Sequence, residues 1–286
     1  MKPIIYLIQA IVIYVFILII KFFGIKKSRI IFSFIFKKLG PRIKSEKIID
    51  KNINIAFSNL ENEDKKKIKE GMWSNYGKTF VEYFFLNKFL LNNSHITIKG
   101  KEKLEEIKKK NKPVVFVSAH LANYELMSME LVKAGFKLAT VYRPLNNYFI
   151  NPLMEYLRRK NICKNQIPKG LAGTRKILDY LKNNHNIALM LDQRVSEGSK
   201  IHFFNNEAWT TTLPAQIALK YDCEIVPIYI KRIDKDKFFM EIYDSLNYSK
   251  NKKENKITIS RDLNKIIEKM ILKNPDQWIW THNRWK

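Results

Sequence analysis

One short stretch, residues 114–125, places the strongest constraint on the fold and chemistry of this chain. It begins with four apolar residues after Pro113, a pattern typical of a fully buried strand. Asn123 then marks a candidate helix start, because short polar side chains cap the first turn of a helix. His120 lies between the two, just past the carboxyl end of the strand, where open α/β sheets bind their ligands. The sequence therefore predicts a strand, a turn and a helix, with His120 at the edge of a sheet.

Glu125 follows His120 by five residues and is the predicted partner of its ring. On a single helix the two would point about 140° apart, but across a strand-to-helix turn they can meet. A carboxylate bonded to one imidazole nitrogen fixes the tautomer and leaves the other nitrogen as a general base. The spacing alone is weakly specific, because His202 and Glu207 repeat it in a polar stretch that follows no apolar strand. The alternative for His120 is a structural histidine whose hydrogen bonds are satisfied at a strand end.

Beyond residue 96, short apolar runs alternate with helical patterns. Strands are predicted at 96–98, 114–117, 137–142, 187–191 and 225–230, with an antiparallel edge strand at 238–243. Such alternation is typical of an α/β fold, a mostly parallel sheet flanked by helices. Before it, residues 45–85 show helical periodicity with a break at 58–62, and a Lys/Asn-rich stretch at 247–256 is predicted to be a solvated loop.

The N-terminal region predicts a membrane anchor. Residues 4–20 are apolar except for Gln9, which is the lower limit of length for a bilayer-spanning helix. A signal peptide is the competing interpretation, but no small-x-small cleavage site follows; a buried core helix would not need an apolar surface on every side. The basic residues between 26 and 44 place the rest of the chain on the cytoplasmic side. Residues 30–36 are too short to span and predict an interfacial helix. We therefore divide the chain into an anchor with a basic interfacial segment, 1–44, and a folded domain, 45–286.

The net charge limits the classes of binding partner, and the two cysteines bear on disulfide bonding. Lys and Arg number 52 against 27 Asp and Glu, a formal charge of +25, which indicates an anionic lipid, nucleic acid or acidic protein as partner. The basic residues are scattered rather than clustered, so no nucleic-acid groove is predicted. Cys163 and Cys223 provide no disulfide framework. Without a Gly-rich phosphate loop, HExxH or CxxC, the sequence predicts neither a metal nor a cofactor.

Three predicted strands end in polar residues, namely His120, Arg143 and Asp192. The carboxyl ends of parallel strands meet at one edge of a sheet, so these side chains are predicted to converge on one crevice. Taken singly, Arg143 could belong to a surface turn and Asp192 could cap a helix. Together with Glu125 they supply a base, carboxylates and a cation, which suits transfer of an acyl group to a hydroxyl. Ser118 is near, but no nucleophile elbow surrounds it, so no covalent intermediate is predicted.

Four ordered blocks of sequence carry a family resemblance. Residues 120–125 read H-x4-E and residues 142–144 read Y-R-P. Residues 191–215 contain D-Q, G, F-F, A, T and P-A in order, and residues 275–285 read P-D-Q-W-I-W-T-H-N-R-W. The sequence thereby resembles the late acyltransferases of lipid A biosynthesis, with lauroyl and myristoyl transferases as typical members. It departs at Asn205, where that family usually has Gly, and this affects only a local turn.

The resemblance implies a fold like that of the glycerol-3-phosphate acyltransferases. It also implies a single-pass enzyme of the inner membrane, active in lipopolysaccharide biosynthesis, whose catalytic domain faces the cytoplasm. Its donor would be an acyl carrier protein thioester, and its acceptor the 3-hydroxyl of a primary acyl chain on a Kdo-bearing lipid A precursor. The positive net charge agrees with these implied substrates, because carrier proteins are acidic and lipid A is anionic. Two alternatives stay open: an acyltransferase for another membrane lipid, or a non-catalytic basic protein that binds anionic lipid.

Residue roles follow from the same resemblance and from the chemistry. His120 is the expected general base and Glu125 the carboxylate that orients it, with direct transfer of the acyl group. Arg143 is expected either to stabilise the oxyanion or to hold an acceptor phosphate. Asp192 is expected to organise Arg143 or Arg194, so that these three form the predicted substrate-binding set.

Overall fold

The computed structural model describes residues 2–233, 237–248 and 255–286. The predicted Lys/Asn-rich loop at 247–256 lies mostly outside these ranges. The helices are α1 Lys2–Ile43, α2 Glu46–Ala56, α3 Asn62–Tyr83, α4 Leu86–Leu91, α5 Lys101–Lys109, α6 Glu125–Lys133, α7 Asn151–Asn161, α8 Leu171–Lys182, α9 Leu213–Tyr221 and α10 Lys256–Lys273. The strands are β1 Ile96–Lys99, β2 Val114–Ser118, β3 Leu138–Tyr142, β4 Asn165–Pro168, β5 Asn186–Met190, β6 Ser199–Phe203, β7 Asn206–Thr210, β8 Glu224–Arg232 and β9 Phe238–Ile242.

The main sheet is mostly parallel and flanked by helices, as predicted. Within the described ranges it has seven strands in the order β1-β9-β8-β2-β5-β3-β4, and only the β8–β9 pairing is antiparallel. β9 was predicted as an edge strand, but it lies between β8 and β1, so β1 is the edge. The sequence of β9 alternates as that of an edge strand does. In both cases one face of the strand is less buried than the other.

Three strands, β4, β6 and β7, were not predicted. β4 reads Asn-Gln-Ile-Pro and lacks the run of β-branched residues that indicates a strand. The hairpin of β6 and β7 turns at Phe204 and Asn205, both with positive φ. His202 lies directly opposite Glu207 in this hairpin, and both side chains are exposed. Their spacing therefore reflects hairpin register.

The core lies around the central strands. All five residues of β2 are buried, and Val115 and Phe116 have no exposed surface. Burying an apolar side chain of this size contributes about 1.5–3 kcal/mol relative to leaving it exposed. The Ser118 hydroxyl, also buried, donates to the carbonyl of Ile228 on the neighbouring strand at 2.6 Å. The strand that leads to His120 is thus held on both faces, which fixes the position of the residues that follow it.

The second half of α1 packs against the domain. Gly24, with φ +69°, separates it from the first half. Phe32 is fully buried against Phe16 and Phe80, with ring centroids 5.3 and 5.6 Å away. Gly77 of α3 faces the Phe32 carbonyl so closely that a Cβ would lie 2.2 Å from its oxygen, so only glycine fits there. Residues 30–36, predicted to lie on the bilayer, therefore bury one face on α3 and expose another. The division of the chain at residue 44 stays a prediction.

The first half of α1 is the candidate membrane anchor. It is long and apolar enough to cross a bilayer, and most of its large side chains are exposed. One stripe, which includes Ala10 and Ile20, is buried on the protein. The Lys21 ammonium donates to the backbone carbonyl of Phe84 rather than extending freely toward lipid. The anchor is thus attached to the domain along one side.

Candidate active site

His120 and Asp192 come from neighbouring strands. β2 and β5 run parallel, with Ser118 paired to Met190, and each functional residue is the second one past its strand. The amide of Leu191 extends the pairing by donating to the Ser118 carbonyl at 3.0 Å. Parallel pairing therefore brings together two side chains that are 72 positions apart in the sequence.

Asp192 holds His120 through both of its oxygens. Oδ1 lies 2.8 Å from the ring Nδ1, and Oδ2 accepts the backbone N–H of His120 at 3.0 Å. The edge of the ring packs on Tyr124, with centroids 4.6 Å apart. The His120 side chain is 18% exposed while that of Asp192 is fully buried. The ring is therefore fixed at Nδ1, and part of it remains exposed.

Asp192 is suited to remain a carboxylate. Burial raises the pKa of its carboxyl group, but the attraction and hydrogen bonds of His120, together with the indole N–H of Trp278 at 2.7 Å, outweigh burial and lower it. An ionised Asp192 can only accept, so the His120 Nδ1 must carry the hydrogen and Nε2 is left with its lone pair. In the neutral form of the imidazole, the geometry therefore places the hydrogen on Nδ1 and leaves Nε2 as the basic nitrogen.

Glu125 does not occupy the predicted place beside the His120 ring. Its Oε1 accepts Arg158 Nε at 2.9 Å and also the Tyr83 hydroxyl. The structure therefore corrects the predicted pairing: the carboxylate that orients His120 is Asp192. The physical reason is the turn between them, which starts α6 at Glu125 and directs its side chain toward α3 and α7.

The surroundings of Glu125 form a second polar cluster. Arg158 Nε also donates to the Tyr83 hydroxyl oxygen at 2.6 Å, and its guanidinium lies over the rings of Tyr83 and Tyr142. Burial, followed by the charge of Glu125, raises the pKa of the Tyr83 phenol. Burial lowers the pKa of Arg158, but Glu125 and the neighbouring tyrosines reverse this and raise it. Arg158 Nη2 and Glu125 Oε1 form an ion pair at 2.9 Å, and the cluster joins α3, α6 and α7.

The turn between β2 and α6 is held in an unusual backbone conformation. Ala122 has φ +50°, in the left-handed region. Its N–H donates to the Gln277 carbonyl at 3.1 Å, and its own carbonyl accepts from Asn75 and Thr79, each at 3.2 Å. These bonds compensate for a conformation that costs a non-glycine residue of order 1 kcal/mol. They fix the path of the chain directly after His120.

Asn123 was predicted to cap the helix, but its side chain donates to Glu82 Oε2 at 2.9 Å instead. Glu82 is fully buried and also pairs with Arg232 at 2.5 Å and Arg29 at 2.8 Å. Arg232 ends β8 and Arg29 belongs to the second half of α1. A buried carboxylate of this kind requires such partners, since an uncompensated charge there is strongly destabilising. The group links the N-terminal helix to the turn that carries His120.

The predicted cations occupy different places. Arg143 is exposed and follows β3, whose pairing with β5 ends at Thr140 opposite Ala188. Its convergence with His120 therefore stays a prediction. Arg194 is partly buried two residues beyond Asp192, and its Nε is buried with no hydrogen-bond partner among the described residues. Because an unpaired buried donor is costly, Arg194 is the better-placed candidate for binding an anion.

The C-terminal residues pack beneath the site. His282 Nε2 accepts the backbone N–H of Arg194 at 2.8 Å. Burial, with help from the charge of Arg284, lowers the pKa of His282 to about 4, which keeps it neutral. Arg284 donates to the Trp209 carbonyl at 2.6 Å and to Thr210 at 2.7 Å, so it holds the β6–β7 hairpin. The C-terminal residues are thus structural supports, and Trp278 is the one among these that contacts Asp192.

The arrangement can perform general-base catalysis. It supplies an oriented imidazole at the edge of the sheet, a buried carboxylate behind it, and a cation with a free donor on the same strand end. Among the described residues, no group of three or more His, Cys, Asp or Glu is placed to hold a metal. Sequence reasoning missed Trp278, Tyr83 and Arg158; the Trp of the C-terminal block was the available signal for the first of these.

Comparison with known proteins agrees with this chemistry. Residues 2–286 match the family described as bacterial lipid A biosynthesis acyltransferase. The chain is 24% identical over 253 residues to the lipid A biosynthesis palmitoleoyltransferase of Escherichia coli (strain K12), covering 85% of this chain and 79% of the relative. It is 22% identical over 247 residues to the lauroyltransferase of the same strain, covering 84% and 78%. A lipid A biosynthesis acyltransferase of Shigella flexneri matches at 24% identity over 85% of this chain and 79% of its own length.

Proposed function

The chain belongs to the bacterial lipid A biosynthesis acyltransferase family, and we propose that it transfers a fatty acyl chain from an acyl carrier protein thioester to a hydroxyl of a lipid A precursor. The observation that carries the proposal is the His120–Asp192 pair at the carboxyl ends of two adjacent parallel strands. It supplies the oriented base that such a transfer requires, within a chain that matches the family over its length.

His120 acts as the general base. Its Nε2 removes the proton from the acceptor hydroxyl as the oxygen attacks the thioester carbonyl, and Asp192 stabilises the imidazolium that forms. The tetrahedral intermediate then collapses and the carbon–sulfur bond breaks. The leaving thiolate takes the proton from His120, so the ring is neutral again at the end of the cycle. No covalent acyl-enzyme is needed, because the acceptor attacks the donor directly.

Arg194 and Arg143 are the proposed anion-binding residues. The unpaired Nε of Arg194 supports a role toward the oxyanion or toward an anionic group of the substrate. Arg143, exposed at the end of β3, supports contact with a phosphate of the acceptor headgroup. Asp192 is assigned to His120 rather than to substrate, since its carboxylate is fully buried and both of its oxygens already accept hydrogen bonds.

Glu125 is proposed as a positioning residue. Its ion pair with Arg158 joins the start of α6 to α7 and so shapes the wall of the crevice beside His120. The H-x4-E spacing is then required because Glu125 fixes the helix that follows the catalytic turn, while Asp192 fixes the ring.

The proposed location is the inner membrane, with a single N-terminal span and the domain facing the cytoplasm. The apolar first half of α1 and the basic residues after it support this orientation. Acyl carrier proteins are acidic, and a chain with a net charge of +25 is suited to bind one. The two alternatives, another lipid acceptor and a non-catalytic lipid-binding protein, account less well for the family match.

Purified protein in detergent can test donor and acceptor together. We expect the mass of a Kdo-bearing lipid A precursor to increase by one acyl chain with acyl carrier protein as donor. Transfer from the coenzyme A thioester alone would refute the donor, and acylation only of a glycerophospholipid would refute the acceptor. His202→Ala is the matched control for His120→Ala, because His202 lies exposed on the hairpin and should retain activity.

A further inference from the structure

Residues 144–150, which connect β3 to α7, carry three exposed apolar side chains, those of Leu145, Tyr148 and Phe149. No charged residue occurs from 144 to 154, although 28% of the chain is charged. Leu145 is 43% exposed and Tyr148 52% exposed, and Phe149 stacks beside Tyr148 with ring centroids 4.5 Å apart. Neighbouring apolar side chains exposed in this way indicate a surface that is covered by something other than water.

This segment lies directly against the candidate anchor. The ring of Tyr148 packs on Tyr6 of α1, with centroids 5.8 Å apart. Asn147 donates to the Tyr6 carbonyl at 2.8 Å and to Gln9 Oε1 at 3.3 Å. The side-chain oxygen of Gln9, which interrupts the apolar run of the anchor, therefore has a hydrogen-bond partner in the segment. The exposed ring of Tyr148 therefore lies directly beside the anchor.

Backbone polar groups at Leu145 and Phe149 have hydrogen-bond partners in the protein. The Leu145 N–H donates to the Asn151 side chain at 2.8 Å, and the Phe149 N–H donates to Asn147 Oδ1 at 3.1 Å. The Phe149 carbonyl accepts the Tyr14 hydroxyl at 3.4 Å. Irregular backbone enters the hydrocarbon region only where its polar groups have protein partners of this kind.

Basic residues flank the segment on both sides. Arg143 precedes it, and Arg159 and Lys160 follow on the exposed side of α7. Aromatic and apolar residues bordered by Lys and Arg are typical of elements that lie at the interface of an anionic bilayer. The charge and the exposed rings therefore favour lipid as the occupant of this surface.

We propose that residues 144–150 enter the bilayer beside the first half of α1, so that two elements, not one, hold the enzyme on the membrane. The contacts with Tyr6 and Tyr14 hold the segment against that part of the helix. The inference rests on the proposed function. With the segment in the bilayer, α7 and Arg158 lie next to the lipid surface, and an acceptor in the bilayer can reach His120.

Depth can be measured without any assay of activity. The two native cysteines are buried, so a fluorophore can be attached to Tyr148→Cys in the full-length protein. Leu272→Cys, on the exposed face of α10, is the matched control. In phosphatidylethanolamine–phosphatidylglycerol vesicles we expect a spin label on the acyl chains to quench the fluorophore at 148, with a blue-shifted emission and loss of iodide quenching. The fluorophore at 272 should show the opposite.

Two results would overturn the proposal. Quenching at 148 by iodide alone would place the segment in water, and protection from both quenchers would mean that a second copy or another protein covers it. Neither result bears on the acyltransferase reaction. A kinetic test uses Leu145→Glu, which we expect to lower the rate on vesicle-embedded precursor about tenfold and leave the rate on detergent-dispersed precursor unchanged. Leu272→Glu should change neither rate, and equal loss on both substrates in Leu145→Glu would contradict the proposal.

Discussion

Asp192 and Glu125 are two carboxylates near one histidine, and they differ in what they hold. Asp192 is 72 positions from His120 in the sequence, yet it accepts hydrogen bonds from both the ring and the backbone N–H of His120. Glu125 is five positions away and pairs with Arg158 and Tyr83. One carboxylate orients a base and the other ties three helices together. Strand pairing in the sheet, rather than proximity in the sequence, therefore decides which side chains act together.

His120→Ala should have the largest effect on catalysis. Loss of positioned acid–base catalysis typically lowers the rate about 10²–10⁴-fold. The substitution also leaves the fully buried Asp192 carboxylate without its ring partner, so we expect the melting temperature to fall as well. Single-turnover acyl transfer together with thermal unfolding would separate the two effects. A variant with wild-type rates would remove His120 from the mechanism.

Asp192→Asn should come next, with kcat lowered by about 10²-fold. The amide keeps the volume of the carboxylate but removes the negative charge that stabilises the imidazolium. We expect KM for both substrates to change little, because Asp192 is buried away from them. Steady-state kinetics with each substrate varied would show this, and a change confined to KM would return Asp192 to the substrate-binding set.

Glu125→Gln should lower kcat less, by about tenfold, while breaking the buried ion pair lowers the free energy of unfolding by about 3 kcal/mol. Arg158→Met should have a similar effect, and the double variant should be no worse than either single one. Urea unfolding and kinetics on all three variants test this. Additive losses would mean that Glu125 does not act through Arg158, and a loss equal to that of His120→Ala would restore it as a direct partner of the ring.

The smallest effect concerns pH. The pKa of His282 is lowered from 6.5 to about 4 by burial, so the unfolded chain binds more protons between these values. We therefore expect the free energy of unfolding to fall as pH decreases from about 6.5 to 4. The lowered pKa of Asp192 affects the free energy of unfolding only below the usual pKa of 3.8, which is outside this pH window. His282→Asn should flatten the slope in urea unfolding, and an unchanged slope would contradict the assignment.

Much of the fold was readable because the central strands are buried on both faces. β2, β5 and β8 each appear as an unbroken apolar run, and the polar residue after each run marks the edge of the sheet. β4 and the β6–β7 hairpin could not be predicted, because their strands are short and mostly polar. Their strand conformation comes from neighbours in the folded protein rather than from their own residues.

The sequence identified residues of the candidate site but not the contacts between them. His120 and Asp192 were both predicted to reach the crevice from strand ends. Their adjacency depends on strand order, which places β5 beside β2 and is not encoded in local pattern. Glu125 could not be assigned from spacing, because the conformation of the intervening turn, with Ala122 at φ +50°, decides where its side chain points.

The most direct measurement is the imidazole N–H resonance of His120 in ¹⁵N-labelled protein. We expect a downfield proton on Nδ1 that is lost in Asp192→Asn and retained in Glu125→Gln, since Asp192 Oδ1 lies 2.8 Å from that nitrogen. His120→Ala assigns the signal. A resonance that survives in Asp192→Asn and disappears in Glu125→Gln would contradict the pairing on which the proposed mechanism depends.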